Sequence, residues 1–441
     1  MPSRFSLFND PVHGFVSVPK GLLLALVDSP EVQRLRRIRQ LGLGFLVFPG
    51  AVHTRFEHGL GAMALLQSAL DALREKGTVV ATDEVEGALA AALLHDVGHG
   101  PFSHTLEADL LPYRPDASGA ARPFRHEAMS RALMVRLDAR TGGALGVALE
   151  MFDGTYARPF FHSLLASQLD MDRLDYLRRD SFYTGVAEGV VGVERVLKTM
   201  RVHPPGPMGR LVIEAKGAYA VENVLLSRRL MYAQVYLHKT VVAADHVLRA
   251  AFLRARALWG HEPALAHTSP ALAFFLAGRT TADALDAPGT PEHEALLDAF
   301  TALDDTDVLY SLKRWAEADD RVLADLAQRF TDRRLFRTVV LPDAPTSDDV
   351  AAWHDATAAW LVASGLSTPA TSRADAMLYV STGVQRLAAY RATEDPICIL
   401  ERDGRVHELT EADTPAALSL AQRPDKAYVC LPKEVAHVVG A

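Results

Sequence analysis

Three histidines and a carboxylate crowd the segment Leu94-His95-Asp96-Val97-Gly98-His99-Gly100-Pro101-Phe102-Ser103-His104, at the end of an apolar run. Imidazole nitrogens and carboxylate oxygens are ligands for divalent cations. An adjacent imidazole and carboxylate ending an apolar helix are costly to bury unless something compensates them, and a divalent metal is the simplest compensation. Six of the 17 histidines fall between His53 and His126, more than core packing requires. Taken singly, His53 or His162 reads as a hydrogen-bonded structural group. The spacing predicts a helix over Glu84–Leu94, with Thr82 or Asp83 as N-cap. If that helix continues, His95, His99 and Asp96 fall at about 0°, 40° and 100° around it, so one face presents all three.

A second segment runs from Ser167 to Asp180. As a helix it places Asp172, Arg173, Tyr176 and Asp180 at about 0°, 100°, 40° and 80°, with Leu169, Leu174 and Leu177 elsewhere as an apolar surface. Alone, it would also suit a solvated face stitched by i,i+4 ion pairs.

Helical periodicity dominates from Pro30 to about Leu258 and positions both segments. Two interruptions are expected: a loop from Leu111 to Pro123, and a hairpin in Met200–Lys216 around Pro204-Pro205-Gly206-Pro207. Short helices follow from about His261 to Arg333. Beyond Leu335, strands are expected at Phe336–Leu341, Ile397–Leu400, Arg405–Leu409 and Tyr428–Leu431, around a helix near Ser347–Val362. Asp403-Gly404 marks a hairpin turn. The fold class is therefore mostly α with a small C-terminal α+β lobe.

Of 441 residues, 49% are hydrophobic and 23% charged, with 46 basic against 54 acidic side chains and a formal charge of -8. These values suit a globular protein of two or three domains and argue against a surface that coats nucleic acid. The two cysteines, Cys398 and Cys430, lack metal-ligand spacing and a disulfide framework. No apolar stretch is long enough to span a membrane, and Met1–Asp10 lacks signal-peptide character. A reduced, cytoplasmic setting is the expectation.

These motifs carry a resemblance. His58 in Arg55-Phe56-Glu57-His58, the His95-Asp96 pair and Asp172 are similar to the signature of the HD-domain metal-dependent phosphohydrolases. Four further stretches narrow it: Phe8-Asn9-Asp10-Pro11-Val12-His13-Gly14, Gln33 to Gly42, Phe48 to His58, and Asp172 to Asp180. With the His95–His104 stretch they resemble the deoxynucleoside triphosphate triphosphohydrolase branch, which includes the SAM-and-HD-domain dNTPases, in consistent order over roughly residues 4 to 250.

That resemblance implies an HD-domain helical core over 1–260, a helical extension over 261–334 and a C-terminal lobe over 335–441. It implies His58, His95, Asp96 and Asp172 as ligands of Fe, Mn, Co, Ni, Zn or Mg, with additional Mg accompanying the nucleotide. Water attacks the α-phosphorus and triphosphate leaves from the 5′ oxygen. His104 is the implied general acid, with His99 and His126 stabilising phosphate charge. Arg55, Arg173, Tyr176 and Arg228 match phosphate-contacting positions. Gln40 and Asp180 match groups on the 3′-hydroxyl, and Leu41 with Tyr236 match the wall that excludes a 2′-hydroxyl. Asp28, Gln33 and Arg36 match positions that hold an activating GTP or dGTP between subunits of a homo-oligomer, a dimer or tetramer. Other readings are an HD phosphohydrolase for a cyclic dinucleotide, alarmone or monophosphate, a nucleic-acid-binding protein, and a nucleotide sensor. Nucleic acid is disfavoured by the acidic total, and no membrane partner is expected.

Overall fold

Every residue from Ala88 to Leu94 is buried, which marks a helix apolar all round and therefore packed in the middle of a bundle. This computed structural model describes residues 4–111, 124–385, 390–392, 395–411 and 425–439. The loop expected over Leu111–Pro123 lies, apart from Leu111, outside the described residues. The chain is mostly α-helical, as its periodicity predicts.

The chain opens with an antiparallel hairpin, β1 (Phe5–Asp10) and β2 (Gly14–Pro19), that helical periodicity did not announce. Helices α1 (Leu22–Val27) and α2 (Pro30–Arg34) follow, then α3 (Arg55–Glu75), α4 (Thr82–Leu94), α5 (Glu107–Leu110) and α6 (His126–Arg140). Next come α7 (Gly146–Phe152), α8 (Phe160–Leu165), α9 (Met171–Thr184) and α10 (Val193–Thr199). The expected hairpin is present as β3 (Met200–His203) and β4 (Arg210–Glu214), leading to α11 (Ala218–Met231) and α12 (Lys239–Ala257). Helix α4 packs on α3 and α7, and α9 packs on α3, so the two chemistry-bearing segments meet across α3.

Local chemistry sets the helix starts. Glu57 Oε2 accepts from Thr54 N (2.6 Å) at the head of α3, and Glu84 Oε2 accepts from Ala81 N (2.8 Å) at the head of α4. The N-cap of α4 is thus Ala81, ahead of the expected Thr82 or Asp83, because the reciprocal glutamate supplies the capping oxygen. Asp170 caps α9 by accepting from Arg173 N (2.7 Å). Gly185, left-handed at φ 74°, ends it.

The remainder comprises α13 (Pro270–Leu276), α14 (Pro291–Ala302), α15 (Asp305–Trp315) and α16 (Arg321–Thr331), then β5 (Arg337–Val340), α17 (Ser347–Ala363), α18 (Ser372–Tyr379), β6 (Ser381–Gln385), β7 (Cys398–Leu400), β8 (Val406–Glu408) and β9 (Lys426–Leu431). Buried Val322, Leu323, Leu326, Ala327 and Phe330 give α16 one apolar stripe, which lies on α12. The late strands divide between two sheets. Strand β9 runs between β5 and β6, while β7 pairs parallel with β4 (Ile213 opposite Ile399) and β8 extends that sheet. Gly404 turns between β7 and β8 at φ 88°, at the predicted Asp403-Gly404 position. Strand β6 lacked a sequence signal, since its residues Ser381 to Gln385 alternate weakly.

Candidate metal centre

Helix α4 ends at Leu94 rather than continuing through the histidines. The chain then tightens into successive turns, with Val97 N on Leu94 O (3.2 Å) and His99 N on Asp96 O (3.1 Å). The single helical face expected for His95, Asp96 and His99 is therefore not how they meet. Serine 130 of α6 latches the turn: its Oγ accepts from Gly98 N (2.9 Å) and donates to His95 O (2.6 Å). A Cβ on Gly98 would lie 2.1 Å from His126 O and 2.3 Å from Ser130 N. Gly98→Ala is accordingly expected to push α6 from the turn at a cost of about 1–3 kcal/mol, read as a lowered thermal midpoint. An unchanged midpoint would contradict that close approach.

Four side chains converge from three elements: His58 from α3, His95 and Asp96 after α4, and Asp172 from the first turn of α9. His58 Nε2 lies 3.3 Å from His95 Nε2, 3.0 Å from Asp172 Oδ1 and 3.4 Å from Asp96 Oδ2. His95 Nε2 lies 3.4 Å from Asp96 Oδ1 and 3.7 Å from Asp172 Oδ1. The outer ring nitrogens are already committed, His58 Nδ1 donating to Asp175 Oδ2 (2.7 Å) and His95 Nδ1 to Ala92 O (2.7 Å). Both Nε2 lone pairs therefore point at one place, the arrangement of metal-binding imidazoles with outer partners. This donor set fits a divalent cation, and Asp172, about one-third exposed, leaves the approach open.

Electrostatics agree. Burial alone would lower the His58 imidazole, yet the carboxylates of Asp172 and Asp175 outweigh it and raise it to about 10. Burial would raise the Asp172 carboxyl, but the two imidazoles hold it far below the usual carboxylate range. Carboxylates dominate the pocket, so it favours positive charge at their convergence.

Beneath His58 lies a buried network that sequence reading missed. Asp175 accepts from His58, from His13 Nε2 (2.5 Å) and from Arg179 (Nε to Oδ2 2.8 Å, Nη2 to Oδ1 3.0 Å), while Arg179 Nη1 donates to Asp10 Oδ2 (2.8 Å). Asp10 and His13 belong to the Phe8–Gly14 motif, and Asp175 lies three residues after Asp172. Their motif was visible, but nothing in the spacing tied the N-terminal hairpin to α9.

Beside the centre, His99 and His126 stack with ring centroids 3.8 Å apart, and His104 stands edge-on to both at 4.7 and 5.2 Å. Glu107, also missed although it is three residues after His104, accepts from His104 Nδ1 (2.6 Å) and His126 Nδ1 (2.7 Å). Burial and the Arg55 guanidinium push His99 well below the usual imidazole range, so it serves as a neutral ring. His104 is two-thirds exposed. Between His99 and His104, Phe102 and Ser103 are both left-handed (φ 55° and 60°). Asp305 Oδ1 holds this strained turn by accepting from Phe102 N (2.7 Å), and Ser103 Oγ donates to Arg39 O (2.6 Å).

The remaining predicted residues divide. Arg55 enters the centre, pairing with Asp96 and donating to Ser103 Oγ (3.0 Å). Asp180 accepts from Tyr236 OH (2.8 Å) and from the wholly buried His53 (2.7 Å), whose carbonyl in turn accepts from Gln40 N (3.0 Å). Gln40, Leu41, His104 and Tyr236 line one cavity of about 380 Å3, and the buried Gln40 Oε1 has no hydrogen-bond partner. Tyr176 stands edge-on to Tyr236 at 5.9 Å. Arg228 lies within the electrostatic reach of Tyr176, with its guanidinium 5.7 Å from the Tyr232 ring. Arg173 is tied back to Ser167 O (2.6 Å) and Asp170 (3.3 Å). Asp28, Gln33 and Arg36 are not brought into the site. Arg36 donates to Gln33 Oε1 (2.9 Å) and covers the Phe56 ring, while Gln33 donates to Val27 O (2.8 Å). Among the described residues no helix is long and apolar enough to cross a membrane.

Comparison with known proteins places this geometry. The HD domain model matches residues 55–143 and the HD associated region model residues 191–262. Uncharacterized protein YwfO of Bacillus subtilis is 35% identical over 345 residues, covering 76% of this chain and 72% of YwfO. The crystal structure of phosphohydrolase BT4208 from Bacteroides thetaiotaomicron superposes with TM-score 0.85 at 39% identity, covering 97% of this chain and 99% of that one. Deoxynucleoside triphosphate triphosphohydrolase SAMHD1 of Homo sapiens is 30% identical over 279 residues, 56% of this chain; the match spans only 44% of that relative's length.

Proposed function

The chain belongs to the HD-domain phosphohydrolase family, and on that footing we propose that it hydrolyses deoxynucleoside triphosphates to the deoxynucleoside and inorganic triphosphate. The observation that carries this reading is the gathering of Gln40, Leu41, Asp180 and Tyr236 beside the histidine cluster, with Gln40 Oε1 buried and unpartnered. A buried acceptor without a donor is costly, and a sugar 3′-hydroxyl would supply one. Leu41 and Tyr236 wall the same space, where an added 2′-hydroxyl would meet an apolar edge. SAMHD1, whose name states this activity, supports the reading at 30% identity.

A divalent cation held by His58, His95, Asp96 and Asp172 would supply Lewis-acid polarisation of a phosphoryl oxygen and a lowered pKa for the attacking water. The protein's own groups do the rest. Arg55 pins Asp96 and closes one side of the centre. Glu107 orients His104 through Nδ1, leaving Nε2 to give a proton to the departing 5′ oxygen. His126, held by the other oxygen of Glu107, donates a hydrogen bond to the phosphates through Nε2, with His99 stacked behind it and facing Asp96 (3.3 Å), and with Arg173, Tyr176 and Arg228 contacting the leaving triphosphate. His104→Ala is expected to retain metal and lose about 10²-fold or more in turnover; a normal rate would remove His104 as the acid.

Product analysis tests the function: each dNTP with Mn²⁺ or Mg²⁺, resolved by ion-pair chromatography and phosphorus NMR. Deoxynucleoside with intact triphosphate is the expected result, whereas stepwise phosphate or pyrophosphate release would redirect the reading to another nucleotide. Repeating it with GTP tests an activator role for Asp28, Gln33 and Arg36, of which Gln33 and Arg36 are hydrogen-bonded to each other (2.9 Å).

A further inference from the structure

The cavity that begins at Gln40, Leu41 and His104 does not end at the sugar wall. It continues past Thr105 to Asp245 and Arg249 on α12 and to Tyr428 on β9. At about 380 Å3 it lies within the roughly 300–1,000 Å3 typical of small-molecule sites. Thr105 Oγ1 donates to Asp245 Oδ1 (2.6 Å), which fixes the carboxylate plane. Among the described residues Asp245 Oδ2 has no hydrogen bond, and the side chain is half-buried at the cavity wall. One helical turn on, Arg249 gives Nε and Nη2 to Asp109 (2.5 and 3.3 Å), and its Nη1 has no hydrogen bond among the described residues. Tyr428 closes the far end, its hydroxyl 3.2 Å from His246 Nε2.

A carboxylate beside a guanidinium presents acceptors next to donors. Among the four bases, guanine alone offers the complement along one edge: two adjacent N–H donors, N1 and the 2-amino group, followed by the O6 acceptor. Adenine and cytosine place a single amino donor beside ring acceptors, and thymine flanks one N–H with two carbonyls. We propose that Asp245 and Arg249 form the base subsite of the cavity and select guanine, with Tyr428 as its end wall. The inference rests on the dNTP reading above and deepens it. It also assigns a role to the C-terminal sheet, whose β9 supplies one wall of the site.

The test is steady-state kinetics of the full chain with Mn²⁺ on dGTP, dATP, dCTP, dTTP and deoxyinosine triphosphate, whose base keeps N1–H and O6 but lacks the 2-amino group. The expected outcome is the highest kcat/KM for dGTP, with the inosine analogue about tenfold lower. In Asp245→Asn the ratio of dGTP to dATP kcat/KM should fall at least about tenfold, mainly through KM, because the amide turns a donor toward the base donors. Equal values for dGTP and the inosine analogue in the unaltered chain overturn the proposal even if the Asn variant does not fold. An unchanged ratio in a folded variant overturns it as well. Hydrolysis of all four dNTPs within about threefold defeats guanine selection and leaves the hydrolase reading standing. No hydrolysis of any dNTP defeats both.

Discussion

Asp172→Ala is expected to abolish metal loading and hydrolysis together. Asp172 is the sole candidate ligand contributed by α9, and its Oδ1 stands 3.0 Å from His58 Nε2 and 3.7 Å from His95 Nε2. Without it the centre keeps two imidazoles and Asp96, whose carboxylate is already shared with Arg55. A hard divalent ion loses its most open anionic donor, and the remaining set is both less negative and one ligand short. Metal content after dialysis, measured beside turnover, reads the result. Metal near one equivalent would contradict the ligand assignment, and turnover retained without metal would contradict the proposed chemistry. The pairing with His104→Ala matters, since that variant should lose rate while holding metal.

Arg179→Met should cost about 3–5 kcal/mol of stability, the usual penalty for removing one partner from a buried ion network. The guanidinium is fully buried and neutralises two buried carboxylates, Asp175 and Asp10. Methionine fills a similar volume but leaves both acids with unmet charge. Asp175 would retain only its imidazole donors from His13 and His58, so the orientation of the His58 ring loosens and metal affinity falls by about 10–100-fold. Denaturant unfolding reads the first effect and metal titration the second. A variant within about 1 kcal/mol of the original chain would show that the network is not coupled to folding. Arg179→Lys, which restores charge without the two-pronged geometry, should recover part of the loss.

The residues of the centre were legible because their chemistry is unusual in a core. His95 beside Asp96 after an apolar helix demands compensation wherever the chain folds, and Asp172 sits in a helix whose apolar face is defined by Leu174 and Leu177. The helical wheel for His95, Asp96 and His99 was a poorer guide. Helix propensity favours continuation through Leu94, but the close approach of α6 at Gly98, with Ser130 taking both the Gly98 amide and the His95 carbonyl, replaces helical bonds with turns. Asp175, His13 and Glu107 escaped notice for a related reason. Carboxylates and histidines at such spacings are ordinary on exposed helix faces, and only their burial makes them significant.

The sequence by itself determined what short-range physics controls: mostly helical periodicity, the hairpins at 200–214 and 403–404, and the presence of His95, Asp96 and Asp172 in helix-linked segments, to which the family resemblance added His58. Tertiary structure alone decided which of these meet. Pairing β1 with β2 lays Asp10 and His13 against α9, some 160 residues away, and the meeting of α12 with β9 brings Asp245 and Tyr428 to one cavity. Such contacts depend on shape complementarity among distant apolar faces, with loop closure over long separations, and no local pattern of residues encodes them.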